Sequence, residues 1–340
     1  MNERTTRGCF KTGCLGCLAL VALMVGLPIL LVLISLAIGR PEQHQESERL
    51  RRTLPELAVP GPDDAPGDLP AEQPAESTSG EFVERPLMPE AVTVTPPAGH
   101  LLLDLEMGRF EVVPGPPGSD IQVEADYDSG SFELKESYEP AADGTWTYQL
   151  SFRDKIGWLR RFGGNNVIHN RLRLIVPQGR PFALEGKVAM GESDLELGGL
   201  WLTRVDLDLG AGGHQLSFDE ALPHPLEALV IDSSYGELKA RKLGNASPAL
   251  LKVSHTAGEV RLDLTGAWQQ DAEIDVSFSF GECRLTVPET VGVEVTRASI
   301  NMGEKRMSGL DRSTPLPPGA PTLRLSLQGN AGEISVLQAD

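Results

Sequence analysis

Positive charge is in short supply in this chain: 30 Lys and Arg stand against 48 Asp and Glu, a formal net charge of -18 over 340 residues. A surface so acidic repels a phosphate backbone, and nucleic acid is excluded as a partner. Cysteine is scarce as well, with Cys9, Cys14 and Cys17 crowded at one end and Cys283 alone in the remainder. A single thiol supports no disulfide framework in that part of the chain. Aromatic residues are few. Catalytic signatures are missing too: there is no nucleophile elbow, no pair of histidines at metal spacing and no phosphate-cradling glycine loop. No catalytic, metal-ligating or cofactor-binding residue is therefore assigned, and no cofactor is expected.

Glycine, in contrast, is abundant, with 36 residues, and in the back half it recurs about every 22 residues. The marks are Gly191 in MGESDLEL, Gly212 in GAGGHQLSF, Gly236 in YGELKA, Gly258 in AGEVRLDL, Gly281 in FGECRLTV, Gly303 in MGEKRM and Gly332 in AGEISV. Gly108 and Gly130, also 22 apart, read as the same unit. A fixed period of this length means a supersecondary unit that buries its apolar face by stacking on its neighbours. Apolar alternation of period two on both sides of each glycine predicts strands with one face buried. The expected fold is all-β, a two-sheeted β-solenoid with two strands per coil and a glycine at the bend, where a Cβ would be resisted.

Counted from each glycine, Leu238, Ala240, Val260, Leu262, Leu264, Cys283, Leu285, Val287, Ile334 and Val336 fall inward, as does His214 beside Leu216 and Phe218. Outward, Glu192, Glu237, Glu259, Glu282, Glu304 and Glu333 follow their glycines and would stack about 4.8 Å apart. Like charges in that position repel, but Lys239, Arg261, Arg284 and Arg306 stand two residues further along and would neutralise them as an ionic ladder. Asp194, Asp206 and Asp208 form the acidic exception, the place where a divalent ion or a pair of acid/base carboxylates would sit if there were one. His100, His169, His224 and His255 are scattered.

Outside the repeats, residues 14–39 form an almost unbroken apolar run without a charge, long enough to cross a bilayer as one helix. Pro28 would kink it, and the run is longer than the core of a cleavable signal peptide. Arg4, Arg7 and Lys11 precede it, so residues 1–13 are expected in the cytoplasm and the body outside, although Arg40, Arg49, Arg51 and Arg52 weaken the charge asymmetry. Residues 40–91, rich in Pro and acidic residues, are expected to be a tether, with Glu42 to Leu54 able to continue the helix up to Pro55. The body is expected as an N-terminal β subdomain at 92–177 followed by the repeat domain at 178–340.

One cationic stretch interrupts the acidic body. Arg153, Lys155, Arg160, Arg161, Arg171 and Arg173, with Trp158 among them, suit an anionic surface such as lipid head groups or a phosphate-bearing polymer. Asn245, Ala246 and Ser247 match a glycosylation acceptor, with Pro248 directly after.

The segments FALEGKVAMGESDLELGGLWLTRVDLDLGAGGHQLSF, YGELKARKL, HTAGEVRLDLTG and FSFGECRLTVPETVGVEV resemble toastrack and putative-adhesin β-repeat domains, related to the C-terminal domain of LiaF-type cell-wall stress-response proteins. Gly213, where the repeat has a carboxylate, and Lys305, on an inward register, depart from the pattern and suggest irregular coils there. The resemblance implies a bacterial envelope protein that works by interaction. The expected function is that of a non-enzymatic scaffold or sensor in envelope stress, anchored in the cell membrane by one pass and bound to a membrane or envelope protein. The alternative is an adhesin-like module for a wall or surface glycan; a β-helix polysaccharide-cleaving enzyme is a third. Open strand edges would permit self-association.

Overall fold

The computed structural model describes residues 47–53, 98–155, 170–308, 316 and 318–339. The predicted membrane helix at 14–39 lies outside them. Among the described residues no helix is long and apolar enough to cross a membrane.

The described chain is all-β. Its strands are β1 (Ser47–Thr53), β2 (Gly99–Gly115), β3 (Gln122–Asp128), β4 (Phe132–Pro140), β5 (Trp146–Asp154), β6 (Arg171–Pro177), β7 (Phe182–Glu196), β8 (Leu202–Ser217), β9 (Ala228–Arg241), β10 (Leu250–Asp263), β11 (Ala272–Val287), β12 (Gly292–Ser308) and β13 (Thr322–Gln338). They hydrogen-bond into one connected sheet, in which β2, β7, β8, β9, β10, β11, β13 and β12 lie side by side in that order. All these neighbours are parallel.

The repeat glycines explain the length of the strands. Each repeat contributes one long strand running through its glycine, where two strands in two facing sheets were expected. In β10, Leu251, Val253 and His255 are buried before Gly258, and Val260 and Leu262 after it. The buried positions thus change from odd to even at the glycine. A strand that bends there keeps the inward residues of both arms on the core side only if its pleat changes phase, and φ of 134° at Gly258 does this. Gly108, Gly191, Gly212, Gly236, Gly281, Gly303 and Gly332 have the same kind of backbone, with φ between 118° at Gly236 and 155° at Gly212.

A second cause is steric. The glycines stack on one another in register, and a Cβ on Gly258 would stand 1.9 Å from the Gly236 carbonyl oxygen; one on Gly281 would stand 1.8 Å from that of Gly258. The column admits no side chain. Gly130 does not belong to it: it lies in the turn between β3 and β4, where its N–H donates to Asp128 Oδ1 at 3.1 Å. Gly212 pairs in register with Gly191 and Gly236, so the expected irregularity there is absent. The real departure is at the end of the chain, where β13 inserts between β11 and β12, leaving β12 outermost.

At the other end the two arms of β2 part company. Gly99–Leu105 pairs with Trp146–Phe152 of β5, and Arg109–Gly115 pairs with Arg171–Pro177 of β6. Together β5 and β6 fill one strand position. Antiparallel strands then cover this end: β4 on β5, β3 on β6, and β1 on β3. Residues 47–53, read from sequence as tether or helix continuation, form β1 because seven consecutive residues register against β3. One hydrophobic cluster runs from Leu101 to Val336, across the expected division at 177.

Candidate binding surface

Past the glycine, the ionic ladder forms as its spacing predicts. Glu237, Glu259, Glu282, Glu333 and Glu304 are consecutive neighbours across the sheet, and beside them run Lys239, Arg261 and Arg284, then Ser335 and Arg306. Lys239 meets Glu237 at 2.7 Å and Arg306 meets Glu304 at 2.8 Å on their own strands; Arg261 also reaches Glu237 at 3.5 Å and Arg306 reaches Glu333 at 3.4 Å across strands. Bonding to Glu259 raises the Arg261 pKa above its ordinary value. Solvent screens such exposed pairs and leaves each of them little net stabilisation, so the ladder's work is to cancel repulsion within the glutamate row. Glu192 has Asp194, not a cation, two residues further along its strand and takes Arg109 of β2 instead, whose Nε donates at 2.9 Å. Gly213 stands between Glu192 and Glu237, and Gln215 fills the position that would supply a cation; a glutamate at 213 would be uncompensated there.

Before the glycine, the outward face is a trough. One open cleft of about 570 Å³ is lined by Asp104, Gln149, Glu185, Lys187, Asp206 and Asp208, among others. A second, of about 290 Å³, is lined by Asp208, Asp232, Ser234, Ser254, Thr256 and Ser279, among others. Both include Asp208 and Asp232, so they join into one depression that crosses the strands from β5 to β11. Six strand spacings make it about 29 Å long. The local sequence dictates this lining: Val205, Leu207 and Leu209 turn into the core, so the alternate residues Asp206 and Asp208 must face out. Several of its charges are engaged within the fold. Arg204 Nε donates to Asp206 at 2.6 Å, Lys187 lies 3.5 Å from Asp208, and Arg153 pairs with Asp104. Asp232, exposed where the clefts meet, has no ion-pair partner among the described residues.

A third row lies on the bend between trough and ladder. The residues directly before the glycines are in register: Met190, Ala211, Tyr235, Ala257, Phe280, Ala331 and Met302. Four of the five large apolar side chains exposed among the described residues belong to this one row, with Tyr235 at 58% and Phe280 at 54%. Sequence reading missed it. The motifs MGE, YGE, FGE and MGE hold the signal, but simple alternation does not predict which way the residue before a glycine faces.

The other sequence-predicted residues are dispersed. Asp194 lies past its glycine, where Gln215 donates to it at 3.3 Å, whereas Asp206 and Asp208 lie before theirs. The bend separates them, and no group of three or more His, Cys, Asp or Glu suited to a metal ion occurs among the described residues. Of the cationic stretch, Trp158, Arg160 and Arg161 lie outside the described residues. Arg153 is tied to Asp104, Lys155 Nζ donates to the Ser129 carbonyl at 2.8 Å, and Arg171 and Arg173 reach Glu111 at 3.7 and 3.4 Å. Asn245 is a structural staple: its side-chain N–H donates to the Phe218 carbonyl at 2.8 Å and its oxygen accepts from Ala267 N–H at 3.0 Å.

The buried histidines are part of the core. His214 Nδ1 lies 2.9 Å from Ser193 Oγ, and neither nitrogen of His255 meets a hydrogen-bond partner among the described residues. Burial lowers both imidazoles below their ordinary pKa. His100 is exposed on β2, His224 lies against Trp201 with its ring tilted by 31° and the centroids 4.4 Å apart, and His169 lies outside the described residues. Cys283 is a free, buried thiol whose pKa is pushed up to about 12, chiefly by burial. Cys9, Cys14 and Cys17 lie outside the described residues.

No family model matches this chain, and no curated protein does. Among solved structures it is similar to a "putative cell adhesion protein" of Clostridium sporogenes, at 13% identity and a TM-score of 0.37, covering 72% of this chain and 96% of that one. It is also similar to a "putative adhesin" of Bacteroides fragilis, at 12% identity and a TM-score of 0.25, covering 72% and 93%. At these scores neither likeness carries a functional conclusion for this chain.

Proposed function

We propose that the repeats form a β-solenoid that serves as a non-enzymatic, adhesin-like module, binding an extended wall or surface glycan along its trough. In this reading residues 14–39 anchor it by a single pass in the cell membrane, and residues 40–46 join that anchor to β1 of the body on the outer side. The observation that supports it is the form of the trough. Small substrates are taken up in concave pockets that enclose most of their surface; a shallow depression about 29 Å long, crossing seven strands, suits a polymer instead. Its hydroxyls and carboxylates offer hydrogen bonds to sugar hydroxyls, and its acidity favours a glycan with little negative charge of its own.

The envelope-stress scaffold, with its LiaF-type relationship, has one feature in its favour. The free edge of β12 could add a strand from a protein partner. Against it, Lys305 occupies an inward register on that strand, a charge of the kind that blocks edge pairing.

Retention of detergent-solubilised full-length protein on insoluble cellulose, chitin and peptidoglycan tests the proposal. Binding to at least one matrix, weakened by the double variant Asp208→Ala, Asp232→Ala, is the expected result. Passage through all three, together with recovery of a membrane protein by crosslinking in the native membrane, would replace the adhesin-like reading with the scaffold.

A further inference from the structure

Four of the five exposed large apolar side chains among the described residues stand in a single row one residue wide. Chance does not place them so, because each strand offers many outward positions and, Val230 and Leu250 apart, all others in β8 to β11 hold polar or small residues. Within the row, large and small residues alternate across β8 to β13: Ala211, Tyr235, Ala257, Phe280, Ala331. Tyr235 and Phe280 are therefore two strand spacings apart, about 9.6 Å, with a gap over Ala257. On one side of them Ser234, Thr256 and Ser279 line the narrower cleft. On the other side run Glu237, Glu259 and Glu282 with their cations.

The apolar centre of a protein interface is a contiguous patch, and a row one side chain wide flanked by hydroxyls and ion pairs is not one. A sugar needs what is here: an aromatic face for the apolar side of its ring, and polar groups at the ring's edge for its hydroxyls. In an extended β-linked polysaccharide the sugar faces alternate, so every second residue presents the same face. The separation of the two aromatic side chains matches such a two-sugar repeat, and the small Ala257 leaves room for the intervening residue.

We infer that Tyr235 and Phe280 form a stacking platform for alternate residues of an extended β-linked glycan, which lies across the strands with its hydroxyls on Ser234, Thr256 and Ser279. This rests on the adhesin-like reading and names its specificity. The row lies on the bend, and it selects chain shape: a coiled α-linked chain would not bring sugar faces to both side chains at once.

The test is calorimetric titration of the full-length protein with cellohexaose and chitohexaose, and with maltohexaose as the α-linked comparison. A β-linked hexamer is expected to bind and maltohexaose to bind at least about ten-fold more weakly; Tyr235→Ala and Phe280→Ala are each expected to weaken binding roughly ten-fold. Tyr235→Phe should retain it, and Ala257→Leu, which fills the gap, should reduce it. Circular dichroism on each variant confirms the fold, which an exposed side chain does not support. Binding that is unchanged in both alanine variants, or equal for α- and β-linked hexamers, overturns the inference while leaving the trough as a glycan site. No binding of any hexamer or insoluble matrix overturns the adhesin-like reading itself.

Discussion

The two ends of the sheet deal with the same difficulty in opposite ways. At the β2 end the last parallel position is split between β5 and β6, and antiparallel strands cover both. A cluster of aromatic residues packs there: Phe152 stacks on Phe132 with centroids 5.0 Å apart and meets Tyr127 at 5.3 Å and Phe110 at 6.1 Å. At the other end β12 has β13 on one side only, and most of its residues past Ile300 are exposed, with Met302 at 63%. A cap of large buried rings closes the first end. A charge protects the second, since Lys305 occupies the inward register beside Ile334 and there donates to the Ala298 carbonyl at 3.2 Å. A stacked β fold must end its stacking somewhere, and covering an edge or charging it are both sufficient.

The strongest way to sharpen this comparison is at the glycine column. Gly258→Ala, flanked by backbone on both sides, is expected to cost more than about 4 kcal/mol or to abolish folding. Gly303→Ala, in a strand free to shift outward, should cost about 1–3 kcal/mol. Urea unfolding of the two gives the answer, and equal losses would mean that β12 is held as firmly as β10.

Next comes the cap itself. Phe152→Ala should lose about 3–5 kcal/mol, the usual cost of emptying a buried aromatic site. Val295→Ala on half-buried β12 should lose less than about 1 kcal/mol. If the two variants melted alike, the N-terminal aromatic cluster would not be the structural cap described.

Acid should weaken the middle of the molecule, between the two ends. His214 and His255 have folded pKa values below the ordinary 6.5, so between those values the unfolded chain binds more protons than the folded one. Their contribution to stability is then intact above about pH 6.5 and is lost as the pH falls through the depressed folded values. His255→Leu should flatten the decline measured by thermal melting from pH 7 to 5; an unchanged slope would assign acid sensitivity to other groups.

The smallest effect on stability is expected at the charged edge. Lys305→Val should leave the melting temperature within a few degrees but promote concentration-dependent association, seen by light scattering in detergent against the parent protein. A variant that stayed as dispersed as the parent would show that the edge charge is not what keeps β12 unpaired.

Much of this architecture is legible in the chain. Glycine spacing and period-two alternation locate every strand from β7 to β13, and counting from the glycines places Leu238, Val260, Cys283 and Ile334 in the core and the glutamates on the ladder. Those features repeat locally, so a short stretch of sequence contains the whole instruction. The candidate site was far less visible. Asp206 and Asp208 stood out, but their neighbours Asp104, Gln149 and Asp232 come from strands whose order along the sheet has to be known first. Gly130 shows the converse error, since a matching interval without the matching strand carries no meaning.

By itself the sequence determined which residues turn inward, where each strand bends and why the bends are glycine, because a Cβ-free column and an apolar alternation are properties of single repeats. The tertiary structure alone decided that Arg109 answers Glu192, that β13 slips inside β12, and that Tyr235 and Phe280 face solvent two strands apart with Ala257 between them. These depend on which strands become neighbours and on the phase change at each glycine, and both are settled only when the repeats stack.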